Sequence, residues 1–155
     1  MRNILVATDG SEDANRAVDV AAELTKAFGG KLFIVTVAGD LSGEEMRELA
    51  RAEQNFAEAL EDRSMQVLIA SETCAQRFGI TNIQLQISWG DPAKSIMEIA
   101  AREVADAIVL GRRGRGRLAG LPLGSVCQKI VSLALCSVIV VPELGERSPD
   151  DAPWS

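Results

Sequence analysis

The 155-residue sequence predicts a doubly wound α/β fold: a five-stranded parallel sheet of order 3-2-1-4-5 with helices on both faces. Three observations predict it. Short apolar runs alternate strictly with helical patterns along the chain. Most of those runs are apolar at successive positions, as strands buried on both faces require. The first and fourth runs empty into turn-rich loops, Thr8-Asp-Gly10 and Gly111-Arg-Arg-Gly114. The order 3-2-1-4-5 sets those two strands side by side where strand order reverses, the place where such sheets hold ligands.

The elements follow in order. Asn3-Ile-Leu-Val-Ala-Thr8 is a buried strand, and Asp9-Gly-Ser-Glu12 a turn with a helix-start signal, Ser11 or Asp9 serving as cap. Ala14, Ala17, Val18, Ala21, Ala22, Leu24 and Phe28 form the apolar face of a helix that stops at Gly29-Gly30. Lys31-Leu-Phe-Ile-Val-Thr-Val37 is the second strand and Gly39-Asp-Leu-Ser-Gly43 a loop. From Glu44 to Phe78 the pattern is helical, with Met46, Leu49, Phe56 and Leu60 on one face, continued by Val67, Leu68, Cys74 and Phe78. A single helix of that length is unusual, so a break is expected near Asp62-Arg-Ser64, with Gly79 as the stop.

Asn82-Ile-Gln-Leu-Gln-Ile-Ser88 alternates polar and apolar residues and reads as a half-exposed edge strand. Gly90-Asp-Pro92 opens the next helix, with Asp91 as N-cap and Pro92 in the first helical position. Ile96, Met97, Ile99, Ala100 and Val104 pack that helix. Ala107-Ile-Val-Leu110 is the fourth strand, Ser125 to Leu135 a helix, and Ser137-Val-Ile-Val-Val141 the fifth strand. Residues 1–144 thus form one domain. Residues 145–155, polar and carrying Pro149 and Pro153, read as a mobile tail.

Composition narrows the function. Hydrophobic residues at 47% and charged residues at 25% are those of an ordinary globular domain. A net charge of −6 argues against general nucleic-acid binding and against docking on anionic lipid. No signal peptide and no membrane-length apolar stretch is visible, so the chain reads as cytoplasmic. Cys74, Cys127 and Cys136 form no CxxC pair and read as reduced, buried thiols. Histidine is absent, which removes Ser-His-Asp and Cys-His catalysis and imidazole metal sites.

The chemistry-bearing stretch is Gly111-x2-Gly114-x9-Gly124-Ser125, between the fourth strand and a helix start. Glycines let a ligand approach the main chain, and a helix N-terminus adds unpaired N–H groups and partial positive charge. Together they read as a phosphate cradle. Arg112, Arg113, Arg115 and Arg117 place four positive charges in this loop, either as phosphate clamps or as a solvated loop with salt bridges to acidic neighbours. No lysine precedes Ser125, so the GxxxxGK[ST] loop is absent. Asp9, after a buried strand, is a candidate hard oxygen ligand for Mg²⁺. Trp89, before Gly90, reads mainly as a packing residue.

Across residues 1–142 the chain resembles the universal stress protein family, specifically its ATP-binding branch. The resemblance is carried by Ile4-Leu-Val-Ala-Thr-Asp-Gly-Ser11, by Gly90-Asp-Pro92, by the Gly111/Gly114/Gly124-Ser125 spacing and by Val138-Ile-Val-Val-Pro142. It implies that Gly111, Gly114, Gly124 and Ser125 hold the phosphates and ribose of ATP and that Val126 continues the phosphate-binding turn. It implies further that Val37 borders the adenine and that Asp9 meets the nucleotide or its Mg²⁺. Ala7, Thr8, Leu110 and Arg113 complete the implied contact set. The family resemblance also implies a homodimer through the last strand, Ser137, Val138, Ile139, Val140 and Val141. Ala7 stands where the family often has proline, and Arg112-Arg113 where it often has serine or histidine. The implied function is a nucleotide-dependent homodimeric switch in a stress response, with at most slow ATP hydrolysis. The alternative is a dimeric interaction module of the same family without a working nucleotide site. An adenylyl transferase is disfavoured, because neither an HxGH nor an SGGxDS loop is present.

Overall fold

The computed structural model describes residues 1–39, 43–52, 55–112 and 123–142. The strands are β1 (Asn3–Ala7), β2 (Lys31–Ala38), β3 (Ile83–Trp89), β4 (Ala107–Gly111) and β5 (Ser137–Val141). The helices are α1 (Glu12–Phe28), α2 (Gly43–Ala52), α3 (Phe56–Gln76), α4 (Pro92–Arg102) and α5 (Ser125–Leu133). The sheet runs β3-β2-β1-β4-β5 and every pairing is parallel, as the sequence predicts.

Alternation along the central strands splits the core into two layers. Ile4, Val6, Ile34 and Val109 face α1 and α3, where Ala17, Val18, Ala21 and Leu68 meet them. Leu5, Val35, Ile108 and Leu110 face α4 and α5, where Ala93, Ile96, Ile99 and Ile130 meet them. Both faces of the sheet are thereby removed from water, which is why β1, β2 and β4 carry apolar residues at consecutive positions. Small residues on α1 (Ala14, Ala17, Ala21, Ala22) let that helix lie close on the sheet.

Helix ends are set by caps. Ser11 Oγ accepts from the Ala14 amide at 3.3 Å, so Ser11 rather than Asp9 caps α1. Gly29 closes α1 in the left-handed conformation (φ 66°) that glycine adopts without a Cβ clash. Asp91 caps α4, accepting from the Lys94 amide at 3.0 Å, with Pro92 in the first turn as expected.

Four expectations are corrected. No break occurs at Asp62-Arg-Ser64: α3 runs unbroken from Phe56 to Gln76, with Ser64 on its buried face beside Leu60, Leu68, Ser71 and Ala75. The chain breaks earlier, before Asn55, whose side chain accepts from the Glu58 amide at 3.2 Å and donates to Glu58 Oε2 at 3.2 Å. Asn55 is thus an N-cap whose side chain is also held by Glu58, a stronger start signal than the polar residues inside a long helix are a stop. Phe28 is half exposed because α1 last covers the sheet at Thr25. Finally, α5 ends at Leu133, two residues short of expectation, and Leu135 is fully exposed. Val104 does not pack its helix either: it lies past the α4 C-cap at φ 52° and is 73% exposed. The side chains of Met46 and Leu49 and residues 143–155 lie outside the described residues.

Candidate functional site

Parallel register between β1 and β4 (Ile4↔Ala107, Leu5↔Ile108, Val6↔Val109) brings their C-terminal ends side by side. β2 leaves β1 on one side and β5 leaves β4 on the other, so the chain parts at this point and opens a crevice.

The β1 exit is tightly tied. Thr8 is buried; its amide donates to Val35 O at 2.9 Å and its Oγ1 accepts from the Gly10 amide at 3.2 Å. Asp9 Oδ1 accepts from the Ser11 amide at 2.9 Å, which turns the chain sharply, and Gly10 takes φ 81° in that turn. One oxygen of Asp9 is therefore engaged in shaping the start of α1.

The β4 exit is built on two close approaches. A Cβ on Gly111 would lie 2.8 Å from Asp13 C and O and 3.0 Å from Ala14 N, so the backbone of α1 occupies the space a side chain would need. Arg112 then continues the ladder, its amide donating to Val141 O at 2.8 Å, and its carbonyl accepts from the Gly124 amide at 2.9 Å. That last bond pins the start of α5 directly against the end of β4.

Gly124 is the N-cap of α5 at φ −69°, ψ 162°, and contributes no side-chain cap. Its carbonyl accepts from the Gln128 amide at 2.9 Å, opening the helix ladder. The first-turn amides of Ser125, Val126 and Cys127 are thus left without a side-chain acceptor from the cap, beside the crevice. Gln128 Nε2 donates to Leu123 O at 3.2 Å and steadies the approach to the helix. Ala7, Val37, Leu123 and Val126 are partly buried on the margin of the α4–α5 core layer and give that side an apolar edge. Leu110 is buried in the same layer.

Of the residues expected from sequence, Ala7, Thr8, Asp9, Leu110, Gly111, Gly124, Ser125 and Val126 lie at these two exits. Val37 lies one residue before the end of β2. Arg113, Gly114, Arg115 and Arg117 lie outside the described residues. Sequence reasoning missed Leu123, Gly10 and Asp13. Gly10 was legible as the middle of an Asp-Gly-Ser turn; Leu123 and the buried carboxylate Asp13 had no local signal.

Among the described residues no three His, Cys, Asp or Glu side chains come together to hold a metal ion. Cys74, Cys127 and Cys136 are free thiols. Burial pushes the Cys127 thiol above its ordinary range, and does the same at Cys136. Among the described residues no helix is long and apolar enough to cross a membrane.

A parallel sheet of order 3-2-1-4-5 whose strand order reverses between β1 and β4 defines a protein of the doubly wound α/β class. The Universal stress protein family model matches residues 1–142, and the chain belongs to that family. It is 35% identical over 146 residues to a universal stress protein of Thermus aquaticus, covering 90% of this chain and 98% of the relative. Among solved structures it is similar to a universal stress protein from Lactobacillus plantarum (TM-score 0.72, 25% identity, 90% of this chain and 97% of the other). It is also similar to a universal stress protein in complex with cAMP (TM-score 0.70, 26% identity, 91% and 96%).

Proposed function

We propose that this chain binds an adenine nucleotide in the β1–β4 crevice and acts as a nucleotide-dependent homodimeric regulator. The observation that carries the reading is the uncapped first turn of α5, held at the crevice by the Gly124–Arg112 hydrogen bond. First-turn amides that receive no side-chain cap from Gly124, together with the positive end of a helix, favour a phosphate there. Gly111, Gly114, Gly124 and Ser125 would hold the phosphates and ribose, Val126 continuing the turn. Ala7 and Val37 would supply an apolar edge for the adenine, with Thr8 and Leu110 beside it, and Arg113, outside the described residues, would complete the set. Where the ligand is ATP, Mg²⁺ would draw on one carboxylate, Asp9, together with phosphate oxygens and water, the usual coordination of that ion. The solved relative bound to cAMP supports adenine as the base.

The homodimer would form through β5. Within the described residues β5 pairs only with β4, and its free edge carries Val138, Ile139 and Val140. Exposed Val131, Leu133 and Leu135 precede it. The opposite edge strand, β3, is interrupted by Gln84, Gln86 and Ser88 and is less suited to self-pairing.

One observation favours the second reading, a dimeric interaction module without a nucleotide. Gly111 is already required by the packing of α1, and Gly124 stands at an ordinary φ, so neither glycine demands a ligand. Calorimetric titration of nucleotide-stripped protein with ATP and Mg²⁺, with AMP and with cAMP separates the two. Saturable heat near one nucleotide per chain supports the regulator. No heat with any of the three at millimolar concentration leaves the interaction module.

A further inference from the structure

We propose that the end of the sheet where the strands begin, opposite the crevice, docks an acidic segment of a partner protein, with Val104 as its apolar anchor and Arg2 and Lys31 as its charged flank. Every strand pairing is parallel, so the first residues of the strands share one end of the molecule. Val104 stands there, between α4 and β4. It follows the α4 C-cap, where its amide donates to Ala101 O (3.3 Å) and the Ala105 amide to Ala100 O (2.8 Å). That closure sets φ at 52°, a conformation that glycine adopts freely and a β-branched residue does not.

Glycine at this position would make the same backbone bonds, so the fold does not require valine. The valine side chain is 73% exposed and adds little packing in return for the strain. The loop that carries it is nevertheless held firmly. Asn3 Nδ2 donates to Glu103 O (2.9 Å) and Val104 O (3.4 Å), and Asp106 Oδ2 accepts from the amides of Arg2 (2.6 Å) and Asn3 (2.9 Å). A strained apolar residue presented outward from a tied loop is a preformed anchor, ordered before a partner arrives. Leu135 is also exposed at this end, since Ala107 pairs with Ser137, but it flanks the proposed dimer edge and is left out of the test.

Charge selects the partner. The chain carries a net charge of −6, yet this end is basic. Lys31 lies beside Arg2, its amide donating to Arg2 O at 2.7 Å, and Asn3 joins both to Val104. The acidic residues of the loop are engaged, Asp106 by backbone amides and Glu103 by Arg102 at 3.1 Å. Among the described residues neither Arg2 nor Lys31 forms a salt bridge, and the Lys31 ammonium stands 4.9 Å from the centroid of the Phe33 ring. A short acidic segment feels this local charge within about 8–10 Å, the Debye length. An extended polyanion, such as a lipid surface or a nucleic acid, also meets the acidic remainder of the molecule.

The test is a titration of the full chain with a fluorescein-labelled peptide of alternating leucine and glutamate, and with the same peptide carrying lysine for glutamate. Wild type should bind the glutamate peptide saturably and less tightly as salt rises, with the amides of Arg2, Asn3, Val104 and Ala105 shifting. Val104→Gly should weaken binding about tenfold, the worth of burying one valine, while raising the melting temperature. A purely structural role for Val104 would not separate those two readouts. Arg2→Gln combined with Lys31→Gln should weaken binding and flatten its salt dependence. No saturable binding of the glutamate peptide, equal binding of the lysine peptide, or unchanged affinity in Val104→Gly overturns the proposal. Binding to phosphatidylglycerol vesicles in place of the peptide overturns it too, and assigns the patch to a membrane.

Discussion

Gly111 is the residue where packing and ligand binding are easiest to confuse. The sequence motif assigns it to a phosphate loop, whereas its Cα faces the first turn of α1 at a distance that excludes any side chain. Gly111→Ala should therefore destabilise the unliganded fold by about 1–3 kcal/mol, the cost of forcing backbones apart, read as a lower urea midpoint. A variant with unchanged midpoint and lost nucleotide binding would contradict this. Val104 makes the opposite case. It stands at φ 52° where a β-branched residue is strained and glycine is the usual occupant, and it is 73% exposed. Val104→Gly should remove about 1 kcal/mol of strain and raise the melting temperature by about 2–4 °C. Asp106 gives a pH signature. Its carboxylate accepts from the Asn3 and Arg2 amides, which holds its pKa below the ordinary 3.8. A depressed carboxylate pKa contributes stability that is complete above the unfolded value and is lost as pH falls through the folded one. Asp106→Asn should thus lower stability at pH 7 and flatten its decline below about pH 4 in acid titrations followed by circular dichroism.

At the scale of elements, α4 and α5 show how much of the structure lies in local signals. Asp91-Pro92 reads as a helix start from sequence and is one; Asp91→Ala should cost about 1 kcal/mol in thermal or chemical unfolding. The strand pattern was equally legible, because β1, β2 and β4 are apolar on both faces while β3 alternates. The break between α2 and α3 was less legible. Asn55-x-x-Glu58 carries the cap, yet a periodic apolar face spans the junction and masks it. The closeness of Gly111 to α1 and the burial of Asp13 were not legible at all. Both arise where residues about 100 positions apart meet, and no local pattern encodes that meeting. The spacing of the glycine motif pointed to the correct end of the correct strand. It did not reveal that Gly124 needs no special φ or that Leu123 lines the apolar edge.

For the whole molecule, the sheet has two unlike edges. Among the described residues β5 pairs only with β4, with Leu133 and Leu135 exposed beside it, and β3 carries glutamines. The double variant Leu133→Asp, Leu135→Asp alters only exposed side chains, so it should keep the fold and shift the sedimentation coefficient from dimer to monomer. A wild type that sediments as a monomer would contradict the dimer. The nucleotide claim is tested most directly by amide chemical shifts during an ATP titration of isotope-labelled protein. With nucleotide at this site, the amides of Ser125, Val126 and Cys127 should move together, with Thr8, Asp9 and Gly10 across the crevice, at one saturating concentration. Saturable shifts confined to other parts of the sheet, with these six amides unmoved, would contradict it.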